Sequence, residues 1–352
     1  MERRQIDEGR TMVKRAAHLF EKMISDETLN EAVKRACEHR SHVSSVIRFS
    51  QNKMENLAKV RQMLIDGTYK TSPYRTFQRK ERGKVRDISA LPFFPDRIVH
   101  WALTLATRDV FLKTFTARTY AAIPGRGSHK ALRDLKHALR SGRFTFALKM
   151  DVHHYFASID KDILMEKVEH RIKDPRILDL YREVIYGYPG PGIPIGNLTS
   201  QYLANLYLSD LDHILAERYH ATAFRYMDDI IVLGWDTAWL RRVRTFTVKE
   251  LAKLKLELNA NWQIFRIESR GVDFVGYRSW SDHILLRTAT KKRMRRKMRN
   301  IANLLKMGAE VSVSMRSCVA SYSGILKWCD GWCLRRRYID PVMEKIGCKP
   351  TM

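Results

Sequence analysis

The sequence predicts an α+β fold in which helices cover one face of a mostly antiparallel sheet, and three observations predict it. Apolar residues recur at helical spacing near the N-terminus and again in the last 65 residues. Between them, short β-rich runs such as FTFALKM (144–150) and FRYMDDIIVLG (224–234) alternate with helical stretches. No internal repeat or low-complexity linker interrupts the chain, and its 45% hydrophobic content suffices for a packed core. At 352 residues, one large body or two to three subdomains are expected.

In order along the chain, residues 11–66 read as helices. Val13, Ala16, Ala17, Phe20, Met23 and Ile24 share one face, and Leu57, Val60 and Leu64 follow before Gly67 supplies a stop. From Thr71 the sequence turns polar and strand-like, and Gly83 in KERGKVRDIS is suited to turn a hairpin between basic strands. Pro95 and Asp96 fit the first turn of a helix through RIVHWALTLATRDVF. A helix is expected after Asp160, and GVDFVGYRSW (271–280) is a candidate strand pair. RTATKKRMRRKMRN (287–300) has eight basic residues and no acid. Met294, Met298, Ile301 and Leu305 recur there at helical spacing, so one stripe is apolar and the rest cationic.

Lys and Arg number 64 against 38 acids, a formal charge of +26. Like charges repel across a compact body, so this imbalance implies a polyanionic partner, nucleic acid before a membrane surface. No apolar run approaches the roughly 18 residues that span a bilayer. The start MERRQIDEGR does not resemble a signal peptide. The five cysteines are scattered; Cys329 and Cys333 stand one helical turn apart, but no second pair completes a zinc site, and reduced thiols in a cytosol are expected. The basic stretch reads either as a solvated charged helix or as one laid along phosphates through Lys291, Lys292, Arg295, Arg296 and Arg299; the net charge favours the second.

Carboxylates stranded on apolar strands are unfavourable unless a cation compensates them. Asp151 ends the run FALKM, and Asp228 and Asp229 sit within YMDDIIVL. A single strand would point the pair to opposite faces. A tight hairpin turn resolves this, bringing Asp228 next to Asp151 with Asp229 close by. Hard Mg²⁺ takes such oxygen ligands, and two such ions suit nucleotidyl transfer. A doubled aspartate is also common as an ordinary turn or cap. His153 and His154 have no third nitrogen ligand in view and are left out.

YMDD at 226–229 resembles the catalytic box of reverse transcriptases, and other motifs stand in that family's order. KVRDISALPFFPDRIVHWAL (84–103) resembles the fingers segment that grips the triphosphate. KMDVHHYFASID (149–160) resembles the first-aspartate motif, IPIGNLTSQYLANLYLSDLD (193–212) the template and nucleotide platform, and VDFVGYR (272–278) the primer grip. The resemblance implies a right-hand polymerase fold: an N-terminal helical extension (1–66), fingers and palm (67–285) and a basic helical thumb (286–352). It implies an RNA-directed DNA polymerase using two Mg²⁺ ions, with Mn²⁺ able to substitute, held by Asp151, Asp228, Asp229 and the Val152 carbonyl.

Further roles follow from the same resemblance. Lys84 and Arg86 alternate on one strand and would hold β- and γ-phosphates, Arg as a fork, although a charged edge strand reads the same way. Phe156 stands at the steric-gate position that excludes a ribose 2′-OH. Gly196, with Ile195 and Gln201, would border the nascent base pair. Phe274, Val275, Gly276 and Tyr277 would form the primer grip, although a buried hairpin would look identical. Implied partners are template RNA, its cDNA in an RNA/DNA hybrid, and deoxynucleoside triphosphates.

The stretch Ile195-Gly196-Asn197-Leu198-Thr199-Ser200-Gln201 departs from the Gln-before-Gly form of many members. It resembles the enzymes of diversity-generating retroelements, which copy a template-repeat RNA with errors at adenines (mutagenic retrohoming). That group implies a small basic helical accessory protein as partner and a cytoplasmic, bacterial or phage-encoded setting. Ile195 offers only packing where Gln can donate and accept hydrogen bonds, so geometric selection should loosen. A retron, group II-like or abortive-infection enzyme, or a non-catalytic RNA-binding protein of this fold, remains the alternative. Trp262 stands where related group II enzymes carry Lys, leaving Lys255 a candidate general acid by proximity alone.

Overall fold

The computed structural model describes residues 15–81 and 84–347, apart from the side chains of Glu81 and Lys84. Val13, Gly83 and Cys348 lie outside the described residues. Four helices come first: α1 (Leu19–Ile24), α2 (Asp26–Cys37), α3 (Ser44–Gln51) and α4 (Lys53–Ile65). A hairpin of β1 (Arg75–Glu81) and β2 (Lys84–Ala90) leads into α5 (Ile98–Leu112) and α6 (Ser128–Arg140). Then follow β3 (Phe146–Asp151), α7 (Tyr155–Ser158), α8 (Lys161–Glu169), α9 (Pro175–Tyr186), α10 (Leu198–Tyr207) and α11 (Ser209–Glu217). After them come β4 (Thr222–Tyr226), β5 (Asp229–Gly234), α12 (Thr237–Lys253), β6 (Gln263–Arg266), α13 (Ile267–Arg270), β7 (Val272–Phe274), β8 (Tyr277–Ser279) and β9 (Ile284–Leu286). The last helices are α14 (Thr288–Lys306), α15 (Val313–Leu326), α16 (Trp332–Leu334) and α17 (Asp340–Lys345).

The chain divides into two compact units. The first, residues 1–123, 152–219 and 245–260, is helical around α5. Ile98, Val99, Ala102, Leu103 and Ala106 of α5 are buried, and α1, α2 and α10 pack on them. The expected N-terminal helix begins only at Leu19. Ala16 instead forms an isolated bridge to Ile172, and the Asp174 carboxylate accepts the Leu19 and Phe20 N–H groups at 2.9 Å each, capping α1 from a distant loop. The stop at Gly67 holds: it follows α4 with φ +65°, a conformation glycine adopts without strain. Pro95 and Asp96 do not open α5. They lie in a π-helical turn, Phe93–Arg97, and the fully buried Asp96 accepts hydrogen bonds from Tyr69 Oη (2.9 Å) and the Ser72 N–H (3.0 Å).

The second unit, residues 124–151, 220–244 and 261–352, holds a four-stranded antiparallel sheet in the order β4-β5-β3-β6 and a three-stranded one, β7-β8-β9. Met294, Met298 and Ile301 of α14 are buried with Tyr277, Leu286, Val319 and Val342, as the apolar stripe predicts. Leu305, in the last turn, is only partly covered. Cys329 lies in a turn after α15 and Cys333 on α16 beyond Gly331, so the pair is not one helical turn.

Candidate active site

The carboxylates assemble within the second unit. In the β3–β5 ladder Asp151 lies directly opposite Asp229, and in the β4–β5 hairpin Tyr226 pairs with Asp229. That leaves Met227 and Asp228 as the two-residue turn. Such turns require positive φ, and Met227 adopts φ +57°, unfavourable for a residue with a side chain. The turn is held from below: Arg225, 2% exposed, donates from Nη1 to the Met227 carbonyl at 3.1 Å. The sequence pattern placed Asp228 nearest Asp151; the register puts Asp229 directly across from it and Asp228 at the tip.

Side chains alternate along a strand, so Lys149 shares a face with Asp151, while Leu148 and Met150 are buried on the other. Lys149 Nζ lies 3.5 Å from Asp229 Oδ2 and donates to the Asp273 carbonyl at 2.8 Å. The Asp273 carboxylate in turn pairs with Arg287, whose Nε donates at 2.6 Å. Burial pushes the Asp229 carboxyl up to about 6; Lys149 and Arg287 hold it down, and repulsion by Asp151 and Asp228 adds to the rise. Its Oδ1 is buried without a hydrogen-bond partner. An orphaned carboxylate oxygen among two further acids is the environment a divalent cation relieves. Among the described residues no group of three His, Cys, Asp or Glu side chains is placed to hold a metal ion, Asp151, Asp228 and Asp229 included, so substrate oxygens and water would have to supply much of any shell.

Four contributors here are absent from the sequence reading: Lys149, Arg225, Asp273 and Arg287. Lys149 was accessible from its i, i+2 relation to Asp151 and Arg225 lies two residues before Met227; Asp273 and Arg287 enter through the contact of Asp273 with Lys149, 124 residues away in sequence.

In this unit Val275 (φ +43°) and Gly276 (φ +95°) form the β7–β8 turn. Phe274 is fully buried, and Tyr277, 4% exposed, donates from its hydroxyl to the Ile325 carbonyl at 3.0 Å. Of the four expected grip residues, Phe274 and Tyr277 are thus buried, Val275 is half-buried against the core of this unit, and Gly276 is half-buried with open space beside it. On α14, Lys292, Arg296 and Arg299 are exposed, while Lys291 and Arg295 are half-buried. The Arg295 guanidinium lies 5.1 Å from the Tyr338 ring centre and that of Arg299 5.9 Å.

The first unit carries the remaining candidates. Val152 is buried and bridges Leu258. Phe156, on α7, is half-exposed, and its carbonyl accepts the Ile193 N–H at 2.9 Å. Gly192 (φ +64°) lies so close that a Cβ there would collide with the Phe156 carbonyl. Gly196 (φ +125°) is exposed, and a Cβ there would meet Ile88 Cγ2 at 3.3 Å. Arg86 is exposed two residues before Ile88 on β2, hence on the same face. The Lys84 side chain lies outside the described residues. Ile195 is half-buried and Gln201 exposed. Lys255 is engaged by Asp160, Nζ to Oδ2 2.5 Å. His153 and His154 are exposed, their rings 4.2 Å apart.

Among the described residues no helix is long and apolar enough to cross a membrane. Residues 78–279 match the family described as Reverse transcriptase (RNA-dependent DNA polymerase). Protein YkfC of Escherichia coli K12 is 29% identical over 196 residues, 51% of this chain and 51% of that protein. The group II intron-encoded protein LtrA of Lactococcus lactis is 28% identical over 174 residues, 46% of this chain and 28% of its own length. The matched stretches thus span about half of YkfC and less than a third of LtrA. Among solved structures, apo telomerase from Candida tropicalis covers 79% of this chain and 62% of its own at TM-score 0.47 and 11% identity.

Proposed function

The chain belongs to the reverse transcriptase family and has its α+β right-hand polymerase fold, and on that premise we propose that it copies an RNA template into DNA. The observation that carries this reading is the Asp151–Asp229 pairing beside the Met227–Asp228 turn, with an unpartnered carboxylate oxygen at its centre. Asp151, Asp228 and Asp229 would hold two Mg²⁺ ions, or Mn²⁺ in their place, which when bound lower the pKa of the attacking hydroxyl and neutralise the leaving pyrophosphate. Lys149 holds Asp229 in place and favours its ionised form. Arg86 supplies a fork for the triphosphate. The Phe156 ring turns away a 2′-hydroxyl, and the bare backbone at Gly196 lets a base pair approach. The Val275–Gly276 turn bears on the primer end, and the exposed cations of α14, in a thumb over 286–352, follow the hybrid backbone.

The test is primer extension on a defined RNA with Mg²⁺ and deoxynucleotides. Incorporation should be lost in Asp228→Ala by at least about a hundredfold, the scale of losing a main electrostatic contributor. No Mg²⁺-dependent incorporation by the unaltered protein, with RNA binding intact, would leave it an RNA-binding relative in the manner the intron-encoded similarity allows.

A second, narrower reading rests on the Ile195–Gln201 stretch: an error-prone enzyme of a diversity-generating retroelement, working with a small basic accessory protein. Sequencing the cDNA decides it, since faithful copying across template adenines would reject this subtype and leave a group II-like polymerase.

A further inference from the structure

The second unit has a feature that the proposed chemistry does not use. At the sheet end opposite the aspartates, the exit of β5 and the entrance of β3 meet: Phe146 pairs with Gly234, and the Thr145 N–H donates to the Gly234 carbonyl at 3.0 Å. Asp229 and Gly234 are separated by five strand steps, roughly 17 Å. Just past Gly234 stands Trp235, 59% exposed, with its ring stacked on Trp239 at 4.9 Å and 24°. Trp239 itself packs over Gly234, where a Cβ would meet Trp239 Cε3 at 3.1 Å.

At the entrance of β3 and on β6, aromatic rings carry guanidinium groups. Arg143 lies 5.7 Å from the Phe144 ring centre, and Arg270 lies 4.8 Å from that of Phe265. Arg242, one helical turn beyond Trp239, is exposed. The neighbouring acids are occupied within the fold. Asp236 accepts the Trp239 N–H at 2.8 Å, and backbone hydrogen bonds hold its carboxyl below the usual range; Glu268 pairs with Arg266 at 3.5 Å. A solvent-facing Trp leaves a large apolar ring in water that a stacked ligand would cover. Here it offers a flat π face, with Arg143 two residues before Thr145, which bonds Gly234, and with Arg242 exposed on the following helix α12.

The geometry points to a second nucleic-acid site: a single-stranded RNA platform in which a base stacks on Trp235 while Arg143 and Arg242 take the flanking phosphates. Base stacking on an aromatic ring with a cationic track for the backbone is the general mode of single-strand binding. The choice of RNA rests on the proposed function, but binding is measured here without Mg²⁺ or deoxynucleotides, so an inactive polymerase would not decide the matter.

The probe is a fluorescently labelled twelve-residue oligoadenylate, compared with an abasic phosphodiester of equal length. Trp235→Ala should weaken oligoadenylate binding by about five- to a hundredfold, the range for losing one stacked base. Abasic binding should change little, and Trp235→Phe should restore most of the affinity. An equal effect on both probes, or none on either, would overturn the site. A 5-iodouridine oligomer should photocrosslink to Trp235 or Phe144; crosslinks confined to 287–300 would likewise overturn it. So would polyglutamate displacing the oligomer from the wild type but not from Trp235→Ala, since that outcome marks an acidic-protein surface. Unchanged thermal unfolding of Trp235→Ala keeps a folding defect from mimicking the expected result.

Discussion

Two side chains illustrate how burial sets chemistry one residue at a time. Asp229 is driven up to about 6 by burial against the pull of Lys149, and its neighbours Asp151 and Asp228 add to the rise. His100, buried on α5, places Nδ1 2.9 Å from Thr199 Oγ1 and has no partner at Nε2; burial pushes it from 6.5 down to about 4. A folded pKa below the unfolded one means that the unfolded chain binds the proton first as pH falls. Stability therefore declines from about pH 6.5 and levels off near pH 4, by about 3 kcal/mol for the whole shift. In urea unfolding the midpoint of the wild type should fall more between pH 7 and pH 4.5 than that of His100→Gln. Equal falls would assign the acid sensitivity to other groups. If the chain is the error-prone subtype proposed above, Ile195→Gln should lower misincorporation at template adenines, read by cDNA sequencing, and an unchanged error spectrum would clear Ile195 of that role.

At the scale of elements, the two glycines beside α7 and β2 do different things. Gly192 has both positive φ and no room, so Gly192→Ala should destabilise the chain by about 2 kcal/mol or more and displace Phe156. A lower melting temperature together with raised ribonucleotide incorporation would be the expected pair of readouts; melting without loss of sugar selection would separate Phe156 from that role. Gly196 is exposed with φ +125°, and a Cβ there would meet only the Ile88 methyl at 3.3 Å and the Ser89 carbonyl at 3.4 Å. On α14 the cations also divide. Arg296 is exposed, whereas Arg295 is half-buried at the Tyr338 ring with its Nε buried and unpartnered. Arg296→Gln should weaken RNA binding and reduce the salt slope by about one, leaving melting unchanged. Arg295→Ala should instead lower the melting temperature through lost packing.

For the whole molecule the charge of +26 dominates. The logarithm of RNA affinity should fall linearly with log salt concentration, a loss of about a thousandfold or more between 50 and 200 mM if six or more phosphates are neutralised. A filter-binding series tests this, and a flat response would mean that the cations serve solubility alone.

Periodicity and motif order carried much of this in one dimension. The α+β class, the strand pair within 271–280, the buried stripe of α14 and the aspartates at the ends of apolar runs were all legible, because each depends on neighbours within a few residues. The short α1 was not, since Asp174 caps it from 155 residues away. Nor was the inward turn of Phe274 and Tyr277: a grip and a buried hairpin share one pattern until the packing of α15 is known. By itself, then, the sequence determined which residues are acidic, basic or apolar and which strand or helix bears them, and so the family. Only the tertiary structure decided which aspartate faces Asp151. A one-residue change of register would reverse every side chain on β5, and that register is held by pairing across the sheet and by the Lys149–Asp273–Arg287 contacts, which join distant parts of the chain, with the buried Arg225 fixing the turn locally.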